Sequence, residues 1–414
     1  MNLKLRLIIM NFLQFFIWGA WLISFGSYLG GNLKFDGGQI GSFYAIMGIT
    51  SLFMPAIMGI VADRWVPAQK LLGICHFFGA MFILYASTQI GYGGLYFAMF
   101  GTIAFYMPTI ALSNSVAYSA IESQGMDTVK TFPPIRIWGT IGFIAAMWTV
   151  DFTGFAKTNV QFYVSAAASI ALAIYSFTLP ACPISGKKES RSFVEAFGLK
   201  AFALFKQKRM AIFFIFSMLL GGALQITNGF GDLYINSFAG DEVYQNTFGV
   251  QHSVLLISLS QISETLCILL IPFFLRRLGI KKVMLISMFA WVLRFGLFGL
   301  GDPGTGVWML VLSMLVYGVA FDFFNISGSL FVNKETDHSI RSSAQGLFMI
   351  MTNGFGATIG SLAAGKIVNH FVPNPAGSSL GWDVAWYIFA AYSLVVAIAF
   401  ALIFKYKHTT EKTA

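Results

Sequence analysis

Charge is scarce in this chain: Asp, Glu, Lys and Arg make up 10% of its 414 residues, whereas 57% are hydrophobic. That balance leaves too little polar surface to enclose a water-soluble core, so a polytopic helical membrane protein is expected. Cysteine is nearly absent. Cys75, Cys182 and Cys267 lie in or at the edges of apolar runs with no metal-ligand spacing among them, and read as inert packing residues. The chain also lacks a paired metal-ligand motif, a nucleotide-binding loop and a long soluble segment, which argues against an embedded enzyme or a receptor. No cofactor is expected. The formal net charge of +9 could suggest a nucleic-acid partner, but the basic residues are scattered through short gaps and form no patch, so none is expected.

What the chain has in abundance is apolar runs of membrane-crossing length. Twelve are expected to span, at 7–29, 40–62, 71–90, 95–117, 132–152, 160–179, 210–230, 250–274, 283–300, 307–331, 347–368 and 384–404. With the N-terminus placed in the cytoplasm, only Lys34, Lys157 and Lys366 among the loop cations fall on the opposite side. Because Lys and Arg near span ends set orientation, both termini are expected inside. Lys4 and Arg6 precede an apolar run, as in a signal peptide. The run continues past Trp18 and Trp21 without a small-residue cleavage pattern, so it is read as the first membrane helix.

The longest hydrophilic break, 183–209, carries seven Lys or Arg residues and divides the spans six and six. The expected plan is an N-terminal six-helix bundle over 1–182, a cytoplasmic linker over 183–209, a C-terminal bundle over 210–404 and a cytoplasmic tail over 405–414. Apolar residues recur at helical spacing over 192–205, which predicts an amphipathic helix on the membrane surface. The halves echo one another, Gly139-Thr140-Ile141-Gly142 in the fifth span resembling Ala357-Thr358-Ile359-Gly360 in the eleventh. Internal repeats of this kind suit an alternating-access carrier.

Arg136, Glu264 and Asp322 sit inside apolar runs. A charge at mid-membrane costs at least roughly 2.5 to 3.5 kcal/mol on insertion scales, so such groups mark a cavity, a substrate route or a proton route. The chain reads as a transporter. Spacing pairs Arg136 with Thr140, Gln225 with Asn228, Gln261 with Glu264 and Tyr317 with Phe321, each pair on one helix face, with Asp322 beside the last. Amides, carboxylates and rings match a polar solute that has hydroxyls, carbonyls and a flat π surface.

Gln14 and Asn114 are weaker candidates for the cavity, since buried amides also tie helices together. Arg294 is expected to snorkel or make a structural pair, and His76 and His252 read as interfacial histidines near span ends. The small residues Gly356, Gly360, Ser361 and Gly365, four apart in the eleventh span, are expected to serve close helix packing.

The pattern of Gly59, Asp63 and Arg64 after the second span resembles the cytoplasmic loop signature of the major facilitator superfamily, an all-α fold of twelve helices in two bundles. In that fold the glycine would permit close helix approach, and the two charges would bridge helix ends when the cytoplasmic side is shut. Longer strings narrow the family: 13–21 (LQFFIWGAW), 132–143 (FPPIRIWGTIGF), 224–228 (LQITN), 260–265 (SQISET), 320–328 (AFDFFNISG) and 351–356 (MTNGFG). Together they closely resemble the bacterial nucleoside:proton symporters over nearly the whole chain.

The resemblance implies uptake of nucleosides such as uridine or adenosine together with protons, across the inner membrane, by a carrier that is not an enzyme and is expected to be monomeric. A major facilitator carrier for another polar solute, such as a sugar, is the alternative. The resemblance further implies that Arg136, Thr140, Gln225, Asn228, Gln261, Glu264, Tyr317, Phe321 and Asp322 line the nucleoside site. Phe143, one turn from Thr140 on the same side, is a further candidate for the base, with helix packing as its equal alternative. Asp322 and Glu264 are the proton-coupling candidates. If Arg136 offsets Glu264, Asp322 is the less compensated acid and the expected proton carrier. One proton moving through about 100 mV yields roughly 2.3 kcal/mol, enough for roughly 40-fold accumulation.

Overall fold

The computed structural model describes residues 2–184, 199–337 and 340–406. Among the described residues the regular structure is entirely helical. The first group comprises α1 (Leu3–Gly19), α2 (Phe25–Ser27), α3 (Gly37–Arg64), α4 (Ala68–Ser87), α5 (Tyr92–Ser123), α6 (Thr128–Phe152) and α7 (Val160–Ser176). The second comprises α8 (Lys208–Gly221), α9 (Ala223–Ser237), α10 (Phe248–Gln251), α11 (Ser253–Leu300), α12 (Val307–Glu335), α13 (Arg341–Met349), α14 (Ala357–Phe371) and α15 (Trp382–Ile403). Most of the amphipathic helix expected over 192–205 lies outside the described residues. Its end is a 3-10 helix, Leu199–Lys206.

Eight helices among the described residues are long and apolar enough to cross a membrane. Three of the twelve expected spans are not among them, for local reasons. In the first, α1 stops at Gly19 and the chain passes through turns into α2 and a π-helix, Tyr28–Asn32. The fifth coincides with α6, whose apolar character is diluted by Lys130, Arg136 and Asp151. The sixth coincides with α7, whose 17 residues rise only about 25 Å. Two further expected spans are merged in α11, whose 48 residues would rise about 72 Å, more than twice the hydrocarbon thickness. Gly279 interrupts it at φ 75° and ψ 167°, a conformation that favours glycine.

Within the first group α1 packs on α6 and α7, and α4 packs on α5 and α7; within the second α11 packs on α12 and α15. Glycines set the tightest contacts. A Cβ on Gly139 would stand 2.6 Å from the Phe15 ring, so α6 lies against α1. The echo in the second group behaves likewise: a Cβ on Gly222 would stand 2.6 Å from the Cα of Gly360, and one on Gly356 would stand 3.0 Å from that of Gly221. Packing therefore accounts for the small residues of the eleventh span.

The groups meet through α3 and α14, α2 and α9, and α6 and α11. The capping box of Asp36 and Gln39 starts α3, with reciprocal bonds of 2.8 and 3.1 Å. Just beyond it, a Cβ on Gly41 would stand 2.5 Å from the Ser361 carbonyl oxygen and 2.8 Å from Gly365 Cα. Most of α3 through Thr50 is buried, whereas from Ser51 onward it is half-buried or exposed. At Gly59 an added Cβ would meet nothing within 4 Å. The close approach expected at Gly59 is therefore absent in this conformation.

The closed end is held by polar contacts between the groups. His252 Nδ1 lies 2.7 Å from Asp151 Oδ2, and Trp148 donates its indole N–H to Ser258 at 2.9 Å. Ser27 bonds to Asp232, whose other oxygen accepts the Ser253 hydroxyl at 2.6 Å.

Candidate functional site

The polar residues expected to form the site come from α6, α9, α11 and α12. On α6 the Arg136 guanidinium lies 4.0 Å from the centre of the Phe15 ring, a cation–π contact that replaces part of its lost hydration. Thr140, one turn on, is half-buried. On α9 Asn228 Nδ2 donates to Gln225 Oε1 at 3.3 Å, the two amides sharing a face as their spacing requires.

α11 and α12 pack side by side and bring the acids together. Glu264 lies within electrostatic reach of Arg136, Tyr317 and Asp322, and Gln261 lies beside the Tyr317 hydroxyl. The Tyr317 and Phe321 rings stack 5.7 Å apart at 5°. Asp322 is 5% exposed, and its Oδ2 is buried without a hydrogen-bond partner among the described residues. Electrostatic pairing thus links three of the four helices. Gln225 and Asn228 on α9 pair with each other. Phe143 is buried, its ring edge-on to Trp18 at 6.3 Å, which is the geometry of helix packing between α1 and α6.

The structure decides several secondary expectations. Of the two roles expected of Arg294, snorkelling and a structural pair, it takes the second: it is 2% exposed, with Nη1 donating to the Ser313 carbonyl at 2.7 Å and its guanidinium 4.7 Å from the Tyr317 ring. It supports a site ring, a role for which its sequence neighbourhood gives no signal, since Ser313 and Tyr317 reach it from another helix. His76 is not interfacial. It is 2% exposed inside the first group, with Nε2 lying 2.8 Å from Gln14 Oε1 and Nδ1 lying 3.3 Å from Ser169 Oγ. Gln14 in turn donates to Thr109 at 2.7 Å, so this amide ties helices together. His252 joins α11 to the end of α6 through Asp151.

Among the described residues no group of His, Cys, Asp or Glu could hold a metal ion. The arrangement can bind a polar solute with amides and rings and can exchange a proton at buried acids.

A family model described as nucleoside H+ symporter matches residues 1–409. The chain is 51% identical over 414 residues to the nucleoside permease NupG of Escherichia coli (strain K12), covering 100% of this chain and 98% of that one. It is 48% identical over 413 residues to the xanthosine permease of the same organism, again covering 100% and 98%. A crystal structure of the nucleoside transporter NupG superposes with a TM-score of 0.92 at 52% identity, covering 98% of this chain and 100% of that chain. Likeness at this level over the full length supports the major facilitator fold and does not favour a sugar carrier. The chain belongs to the nucleoside:proton symporter family, and is a multi-pass membrane carrier of nucleosides and protons, not an enzyme.

Proposed function

We propose that the chain takes up nucleosides, uridine and adenosine among them, with one proton each across a bacterial inner membrane, as a monomer with both termini in the cytoplasm. It crosses twelve times, in bundles of six over 1–182 and 210–404, joined by a cytoplasmic linker over 183–209 and followed by a tail over 405–414. The left-handed Gly279 amid Arg276, Arg277, Lys281 and Lys282 supports a turn between two crossings within α11. On this topology the end closed by Gly41 and Asp232 is external.

The observation that carries the site is that Glu264 lies within electrostatic reach of Arg136, Tyr317 and Asp322, the four groups coming from three helices. The substrate is held by Arg136, Thr140, Gln225, Asn228, Gln261, Glu264, Tyr317 and Phe321. Asp322 lies in the same site. With an unpartnered buried oxygen, it is the proton carrier. Amides satisfy ribose hydroxyls, and the Tyr317–Phe321 stack offers a flat base an apolar face.

Radiolabelled uptake in cells lacking other nucleoside carriers tests the reading. Uridine, adenosine or both enter only when this chain is expressed, and a protonophore abolishes accumulation. Uptake indifferent to the proton gradient refutes the symport. Gln225→Ala, Asn228→Ala and Gln261→Ala each weaken binding about tenfold, since an unmet polar partner costs roughly 1 to 3 kcal/mol. Variants that bind like the parent would show these amides to be packing groups.

A further inference from the structure

A cavity in the second helix group is bounded by Leu224, Trp291, Phe321, Asn325 and Asn353, none of which has been assigned a role above except Phe321. It adjoins the proposed site directly. Leu224 precedes Gln225 in α9, and Phe321 is the ring that stacks on Tyr317. Its polar groups are the two asparagine amides, the Trp291 indole N–H and the Thr352 hydroxyl, and the hydroxyl is already donated to the Phe348 carbonyl at 2.9 Å.

The two amides are under-used. Asn325 donates Nδ2 to the Phe321 carbonyl of its own helix at 3.0 Å, and its Oδ1 has no partner among the described residues. Asn353 has only the Met349 sulfur, 3.9 Å away, a weak acceptor. Amides at membrane depth ordinarily bond to neighbouring helices, as Gln14 does here. Asn353 also sits on a π-helical segment, Ile350–Gly356, a local distortion that is frequent at functional sites. The bounding rings of Trp291 and Phe321 give the cavity flat apolar walls beside these two donor–acceptor groups.

We propose that Asn325 and Asn353 read the polar edge of the nucleobase, and so set which bases the carrier accepts. A base edge presents donors and acceptors side by side, and each carboxamide supplies both. The proposal rests on the reading that the adjoining cluster holds the nucleoside.

The test measures binding of matched nucleosides to the purified full-length protein. Uridine is compared with 3-methyluridine, which lacks the N3 donor, and adenosine with purine riboside, which lacks the 6-amino group. Asn325→Ala and Asn353→Ala are expected to weaken uridine or adenosine about tenfold while changing the matching analogue less than twofold, because the analogue has already lost the contact. Serine replaces alanine at either position if a variant fails to reach the membrane. Equal weakening of nucleoside and analogue, or parental affinity for all four, overturns the proposal. Gln225→Ala and Gln261→Ala are measured alongside. If they weaken binding while the asparagine variants do not discriminate, only this proposal fails; if they bind like the parent, the site reading fails instead.

Discussion

Ser27 and Asp232, far apart in sequence, are hydrogen-bonded across the closed end of the molecule. The bond joins α2 of the first helix group to α9 of the second, and Asn236 extends it by donating to Ser27 at 3.1 Å and to Ser253 at 2.8 Å. Buried from water, the network leaves one acceptor, Asn236 Oδ1, without a partner among the described residues, which lowers what it contributes. An alternating-access cycle has to break it, so its strength bears on how long this end stays shut.

Ser27→Ala and Asp232→Asn are each expected to destabilise the purified protein by roughly 1 to 3 kcal/mol. Made together, they should lose less than the sum of the two, with a coupling of roughly 0.5 to 3 kcal/mol. Denaturation of the four proteins in detergent gives the cycle. Strict additivity would mean that the two side chains do not meet.

Gly41→Leu should block the closed end. Even its Cβ would stand 2.5 Å from the Ser361 carbonyl, which is backbone and cannot swing away. Uptake into cells is expected to fall at least tenfold with the protein still inserted, while nucleoside binding in detergent survives. Gly93→Ala, where nothing lies within 4 Å, serves as the control and should transport normally. Normal transport by Gly41→Leu would show that α3 and α14 need not approach this closely.

The two acids are expected to divide the work. Asp322→Asn should lose proton-driven accumulation yet keep some nucleoside exchange between proteoliposomes at equal pH. Glu264→Gln, beside Arg136, should chiefly impair binding. The readout is lumen acidification on adding nucleoside. If Asp322→Asn still acidifies the lumen and Glu264→Gln does not, the roles are exchanged.

Arg294→Met should cost both stability and affinity. It strips the Ser313 carbonyl of its donor and removes the cation held over Tyr317. Removing a charged hydrogen-bond donor costs roughly 1.5 to 3 kcal/mol, and nucleoside affinity should drop as Tyr317 loses its support. Arg294→Lys should recover part of the stability but not the planar contact with the ring. Thermal unfolding and nucleoside titration separate the two effects. Parental values in both would leave Arg294 without the supporting role.

The sequence by itself determined the membrane class, the family and the faces on which Gln225 and Asn228, or Tyr317 and Phe321, would pair. Run length, helical periodicity and short-range spacing are one-dimensional properties, set by bilayer thickness and the pitch of the helix. The purpose of the small residues in the eleventh span was legible for the same reason. Other features depend on residues distant in the chain, and only the tertiary structure decided them. His76 looked interfacial because it stands near the start of its run, yet Gln14 and Ser169 from other helices enclose it. Between snorkelling and a structural pair for Arg294, only Ser313 and Tyr317 on another helix decided. Gly59 carries a packing signature but no packing, since which end of the molecule is shut belongs to the conformation and not to the motif. The pairing of Ser27 with Asp232 was equally unreadable: neither residue has a local partner that announces it, and only the docking of two helix groups brings the hydroxyl to the carboxylate.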